Sequence, residues 1–246
     1  MSYFPPFRTS RLTVNLKEIS ISQSVKIASM PSKLIEVSCT EFLRCAIEKS
    51  ENIPDPLDWT AQERMFAVSH YLACTSDGSP DFKIGNGNYS DYLDVSNGSF
   101  VESVNVGEVA GDHWATKNLT GRMLESIERL DGEIEGLSGR LYWMLGAMSA
   151  QLVMTNDDTP QPISDSEYDK WLLDRMRVFA NFPDTQFESL MLLWLSASEG
   201  LKHLFSIQFD DFGVVVMPRE GAEGNLPSAR FPVRSCLSRL SLEMAG

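Results

Sequence analysis

The chain has 246 residues, 43% of them hydrophobic and 22% charged, which is enough apolar material for one large domain or two small ones and excludes disorder throughout. Its formal charge of -13 argues against a nucleic-acid partner, because sequence-independent phosphate binding draws on rows of Lys and Arg. No stretch approaches the apolar length of a membrane span, so no membrane partner is expected either.

The charge is uneven. Residues 1–50 hold seven basic groups against four acidic ones, so the excess of acid lies in the rest of the chain. Such polarity suits a basic arm laid across an acidic neighbour. Residues 1–16 read as an extended N-terminal arm and strand: Pro5 and Pro6 forbid helix, Tyr3, Phe4 and Phe7 are apolar anchors, and Arg11 to Leu16 alternates like a strand. The opening residues lack a secretory signal, and Cys39, Cys45, Cys74 and Cys236 fit neither a zinc site nor a disulfide framework. They read as free, mostly buried thiols of a reducing compartment, the cytoplasm in which the chain is made.

Residues 17–74 read as a helical region. A helix is expected from Lys17 to Met30, a second from a Ser32 cap to about Lys49, and a third after the capping box Thr60-x-x-Glu63, running to about Cys74. Residues 75–118 change to Gly, Ser, Asn and Asp and are expected to form a small lobe with strands at Phe82 to Ile84, Tyr89 to Val95 and Phe100 to Val106.

Residues 119–217 read as a helical body with a terminal hairpin. Its strongest pattern is a heptad stripe of Met123, Ile127, Leu130, Ile134, Leu137, Leu141, Met144 and Met148, which predicts one long helix over about 118–154. The stripe is a seam for another helix, either in the same domain or on another chain. Gly132, Gly136 and Gly139 fall three and four apart, as a shallow face admitting a second backbone would need, while every glycine in the helix interior costs roughly 1 kcal/mol. A loop over Thr155 to Pro162 closes this helix. Ser164 and Glu167 form a capping box with an Ile163 to Tyr168 staple, starting a helix to about Ala180. Thr185-x-x-Glu188 is expected to cap the next helix, and Ile207 to Val216 forms a hairpin around Asp210 to Gly213. Residues 218–246 read as a C-terminal arm ending in a short helix.

Reactive constellations are weak. His70, His113 and His203 are isolated from one another; His70 reads as a core-edge residue, and His113 is the one histidine worth testing for chemistry. Asp211-Phe212-Gly213 lacks every other kinase motif, and Gly85-Asn86-Gly87-Asn88 lacks the Lys-Ser/Thr of a phosphate cradle. The pairs Asp157-Asp158 and Asp210-Asp211 fall in turns, where Asp serves the backbone. No catalytic, cofactor or metal residue is assigned, and the chain reads as non-enzymatic.

Val14 to Ala28, followed by Asp55 to Arg64, resembles virion proteins of contractile-tailed bacteriophages, of the baseplate "ripcord" type beside the tail hub and spike. The resemblance covers roughly the first third of the chain. It implies a non-enzymatic baseplate component in the virion, present in several copies and partnered by hub, spike, tube or wedge proteins. It carries no catalytic residues.

The expectation is thus a mainly α, α+β protein, a helical body around the long heptad helix with extended arms at both ends. Tyr3, Phe4, Phe7 and Arg8 would make one partner contact, and Arg230, Phe231, Arg234, Leu237 and Leu240 another; the alternative is that both arms fold back on their own domain. Two other functions stay open: an assembly chaperone absent from the finished particle, and a ligand binder or enzyme that uses the 75–118 lobe around His113.

Overall fold

The computed structural model describes residues 3–75, 80–154, 164–222, 224–231 and 233–245. In chain order its elements are β1 (Phe7–Arg8), β2 (Thr13–Leu16), α1 (Ile21–Ala28), α2 (Ile35–Ala46), β3 (Ile47–Glu51), α3 (Ala61–Thr75), β4 (Lys83–Ile84), β5 (Gly87–Asn88), β6 (Ser103–Val109) and β7 (Asp112–Lys117). There follow α4 (Gly121–Arg129), α5 (Gly139–Gln151), β8 (Leu152–Met154), α6 (Asp165–Ala180), α7 (Asp184–Ser198), β9 (Ser206–Asp210), β10 (Gly213–Met217) and α8 (Arg239–Ala245). This is a mixed α+β protein with small antiparallel sheets. It divides into two compact units, one made of Met1–Ser99, His203–Gln208 and Val214–Gly246, the other of Phe100–Lys202 with Phe209–Gly213. The expected 75–118 lobe therefore does not exist as one body, since β4 and β5 belong to the first unit and β6 and β7 to the second.

In the first unit β1, β2 and β3 form an antiparallel sheet with Phe7 opposite Val14 and Thr13 opposite Glu51. Ile47 to Glu51, which begins where the expected helix would have run on to about Lys49, is a strand because it finds the open edge of β2; pairing with a distant segment overrides local propensity. Nor does Ser32 cap α2: the Leu34 N–H donates to the Pro31 carbonyl in a turn, and α2 starts without a side-chain cap. The Thr60 box is formed at the start of α3, where the Glu63 N–H donates to Thr60 Oγ1 at 3.1 Å and the Thr60 N–H to Glu63 Oε2 at 2.9 Å. Tyr89 to Asp91 is a turn of 3₁₀ helix rather than a strand. The core joins Val14, Leu16, Phe42, Trp59, Val68 and Tyr71 to residues from both ends of the chain, Phe7, Phe231, Val233 and Leu237.

The second unit packs α4, α5, α6 and α7 around the sheet β6–β7–β8. The turn between β6 and β7 is Ala110-Gly111, both at positive φ, as a tight two-residue hairpin requires. The long helix expected over 118–154 is two helices, α4 and α5, separated by a run of turns from Leu130 to Ser138. The break lies where Gly132, Gly136 and Gly139 adopt φ of +90°, +78° and +61°. Side chains rarely follow the backbone there, so these glycines turn the chain and do not make a shallow helical face. The glycine that does admit a close neighbour is Gly146 of α5, where a Cβ would stand 2.8 Å from Cγ2 of the buried Ile127 on α4. The Tyr142 hydroxyl donates to the Ile127 carbonyl at 2.7 Å and ties the same two helices.

The Ser164 hydroxyl accepts from the Glu167 N–H at the start of α6, while Ile163 of the expected staple, Asp157-Asp158 and the 155–162 loop lie outside the described residues. Thr185 lies inside α7; the helix opens at Pro183, whose carbonyl accepts from the Gln186 and Phe187 N–H groups. β9 and β10 form the expected hairpin.

Candidate functional site

The expected N-terminal contact residues are mostly claimed by the first unit itself. Phe4 stacks on Tyr71 with ring centroids 5.0 Å apart, and Phe7 is buried edge-on against Phe66 at 5.3 Å. His70 Nε2–H donates to the Pro5 carbonyl at 2.8 Å, and burial pushes the imidazole pKa down. Helix α3 thus supplies the surface for the arm through Phe66 and His70, at i and i+4 on one face, and through the neighbouring Tyr71; the i, i+4 pair was the available signal for a docking face. Tyr3 and Arg8 stay exposed.

The C-terminal residues behave likewise. Phe231 is buried edge-on to Phe82, Tyr89 and Tyr92 at 6.2–6.3 Å, and Leu237 is buried in the same core. The Arg234 guanidinium donates to the Ala28 and Met30 carbonyls at 2.9 and 3.1 Å, satisfying the end of α1. Arg230 is half-buried and Leu240 exposed. Both ends are therefore folded on their own unit, and the extended arms expected from the sequence are corrected: each brings large apolar groups to a core that has room for them.

Among the histidines, His113 is exposed on β7 opposite Glu108, with Nε2 3.8 Å from Glu108 Oε2. His203, read as isolated, is buried, and its Nε2 lies 2.9 Å from Thr60 Oγ1. Glu63, in the same capping box, is fully buried; Thr9 Oγ1 donates to it at 3.3 Å and Arg11 Nε lies 3.4 Å away. This polar knot ties the N-terminal segment to the start of α3 and to residues after 202. Thr60, Glu63 and His203 are all buried. Among the described residues no group of three His, Cys, Asp or Glu side chains gathers where a metal would be held, and no helix is long and apolar enough to cross a membrane. None of the four cysteines is in a disulfide, and all four are half-buried.

Asp211 of the kinase-like triplet accepts the Arg140 N–H at 3.0 Å and so caps α5, a helix that Ser138 leaves without a side-chain cap. A Cβ at Gly139 would stand 2.7 Å from the same carboxylate oxygen. Gly85 lies in the turn between β4 and β5, and Gly87 opens β5 opposite Ile84.

The heptad stripe divides in the second unit. Ile127, Leu130 and Met148 are buried, while Met123 and Met144 are half-buried. Ile134, Leu137 and Leu141 instead line an open groove of about 480 Å³, completed by Phe182 and Phe187. Leu141 remains 49% exposed. Phe187 also begins a stripe along α7 with Met191 and Leu195, the spacing i, i+4, i+8 of one helix face. On α7 only Leu190 and Trp194 are buried, and Leu192 at 57% and Leu195 at 39% face solvent. Solvent-facing leucines on a helix whose first turn lines a groove are the mark of a contact surface. Compared with protein-family models, with curated proteins and with solved structures, the chain matches none.

Proposed function

We propose that the chain is a non-enzymatic structural component of a contractile phage tail baseplate that holds neighbouring subunits together. The observation that carries the reading is the apolar surface of the second unit, the groove beside Leu141 with the exposed face of α7. A helix that turns Leu192, Leu193 and Leu195 away from its own core gains by covering them with another protein. The resemblance of residues 14–28 and 55–64 to baseplate proteins supplies the setting. Because both chain ends are packed on the first unit, the contact is assigned to the body of the second unit and not to arms.

Quantitative mass spectrometry of purified particles from the source of the chain tests this proposal. The expected result is a fixed ratio of the chain to the other tail proteins. Absence from finished particles overturns it and favours the assembly chaperone.

A further inference from the structure

The groove of the second unit has a chemistry as well as a shape. Its floor is made by Leu145 and Phe179, both buried, and its walls by Ile134, Leu137, Leu141 and Phe187. The charged lining is one-signed: Glu135 and Asp184, both exposed, line it, and among the described residues no Lys, Arg or His does. Helix α6 ends in the same wall at Ala180 and Asn181, so the negative end of its dipole lies there too. Glu188 follows Phe187 on α7 and is exposed.

An apolar trough rimmed with carboxylates recognises apolar side chains that carry positive charge beside them. The stripe Phe187, Met191, Leu195 extends the apolar surface over two helical turns, roughly 12 Å at 1.5 Å per residue. That length fits the face of a partner helix and exceeds what a single inserted side chain would use.

We infer that this groove is the docking site for an amphipathic helix of another protein, one that presents Leu, Ile or Phe at i, i+4 spacing and Lys or Arg along the edges of that face. The inference rests on the reading of the chain as an assembly protein and gives the chemical class of its partner. The apolar anchors fill the space between Leu137, Leu141 and Phe187. The flanking cations meet Glu135 and Asp184, which also discriminate against a helix with acidic flanks, since like charges would face each other on docking.

Two labelled amphipathic peptides of about 14 residues, sharing one Leu/Phe stripe and flanked by Lys in one and Glu in the other, test this by fluorescence anisotropy against the full chain. The Lys-flanked peptide is expected to bind at least about tenfold more tightly than the Glu-flanked one. Leu141→Asp, at a half-exposed position, is expected to weaken it by about tenfold or more. The surface pair Glu135→Lys with Asp184→Lys, which leaves the apolar lining intact, is expected to reverse the preference. Binding of the Lys-flanked peptide that is unchanged by both variants overturns the inference, because it would report only attraction to an acidic protein. Wild-type chain that sediments as a dimer, with Leu141→Asp monomeric, also overturns it and assigns the groove to a second copy. The particle content of the wild-type chain is a separate reading: peptide binding without incorporation sinks the assembly role alone, and incorporation without peptide discrimination sinks the groove's partner alone.

Discussion

At residue scale, the join between α4 and α5 depends on two side-chain decisions. Gly146 leaves room for Ile127, and Tyr142 satisfies the Ile127 carbonyl. Gly146→Ala is expected to lower stability by about 1–3 kcal/mol, because a methyl 2.8 Å from a fully buried side chain forces the helices apart. Tyr142→Phe leaves a buried acceptor without its donor, a loss of about 1–3 kcal/mol. Urea unfolding of both variants checks these losses, and an unchanged midpoint in either would remove that contact from the account. The stripe itself was legible in the sequence, and so were the glycines between its members. What the spacing does not reveal is that Gly132, Gly136 and Gly139 all take positive φ, which converts a cost in helix propensity into a turn.

At element scale, α5 owes its first turn to a residue far away in sequence. Asp211 caps it from the tip of the β9–β10 hairpin, so Asp211→Ala is expected to cost about 1 kcal/mol and Asp211→Asn, which keeps an acceptor, distinctly less. Chemical denaturation of the two variants side by side measures the difference. Local caps such as Thr60 and Ser164 could be read from spacing alone, whereas a cap delivered across 71 residues has no local signature. β3 is hidden for the same reason, since its strand partner β2 lies a whole helical pair earlier.

Helices α1 and α2 are tied by Lys26 Nζ to Glu41 Oε2 at 2.9 Å. The Lys26 hydrogen bond, with Arg44 adding to it, holds the Glu41 carboxyl below the usual carboxylate range. A lowered folded-state pKa stabilises the fold above the unfolded pKa and loses that contribution as pH falls through the folded value. The stability advantage of wild type over Glu41→Gln is therefore expected at neutral pH and should vanish in acid. Thermal melts across that range check the sign, and an advantage that grows towards acid would refute it.

At the scale of the whole molecule, the chain ends belong to the core. Phe7→Ala should cost about 3–5 kcal/mol, as large-to-small changes of a buried Phe do, and deletion of residues 3–10 should lower the melting temperature further. Calorimetry would show it, and a deletion that melts like wild type would mean the arm is dispensable to the fold. The sequence carried the α+β class and the α3, α6 and α7 helices, whose periodicity is local, as are the caps of α3 and α6. It did not carry the destination of the aromatic ends: Tyr3, Phe4 and Phe7 look the same whether their surface is on another chain or on α3.

The first unit is assembled from three separated stretches of chain, and the last of them brings Phe231, Val233 and Leu237 to a core begun by Phe7 and Val14. During synthesis the first 99 residues therefore wait, with that core unfilled, until Phe231 to Leu237 have been made. The ribosome releases the central stretch to fold while the beginning is still incomplete. A premature stop shortly before Phe231 would consequently strike the other end of the polypeptide, and protease digestion of stalled nascent chains should find residues 3–75 vulnerable until the final segment emerges.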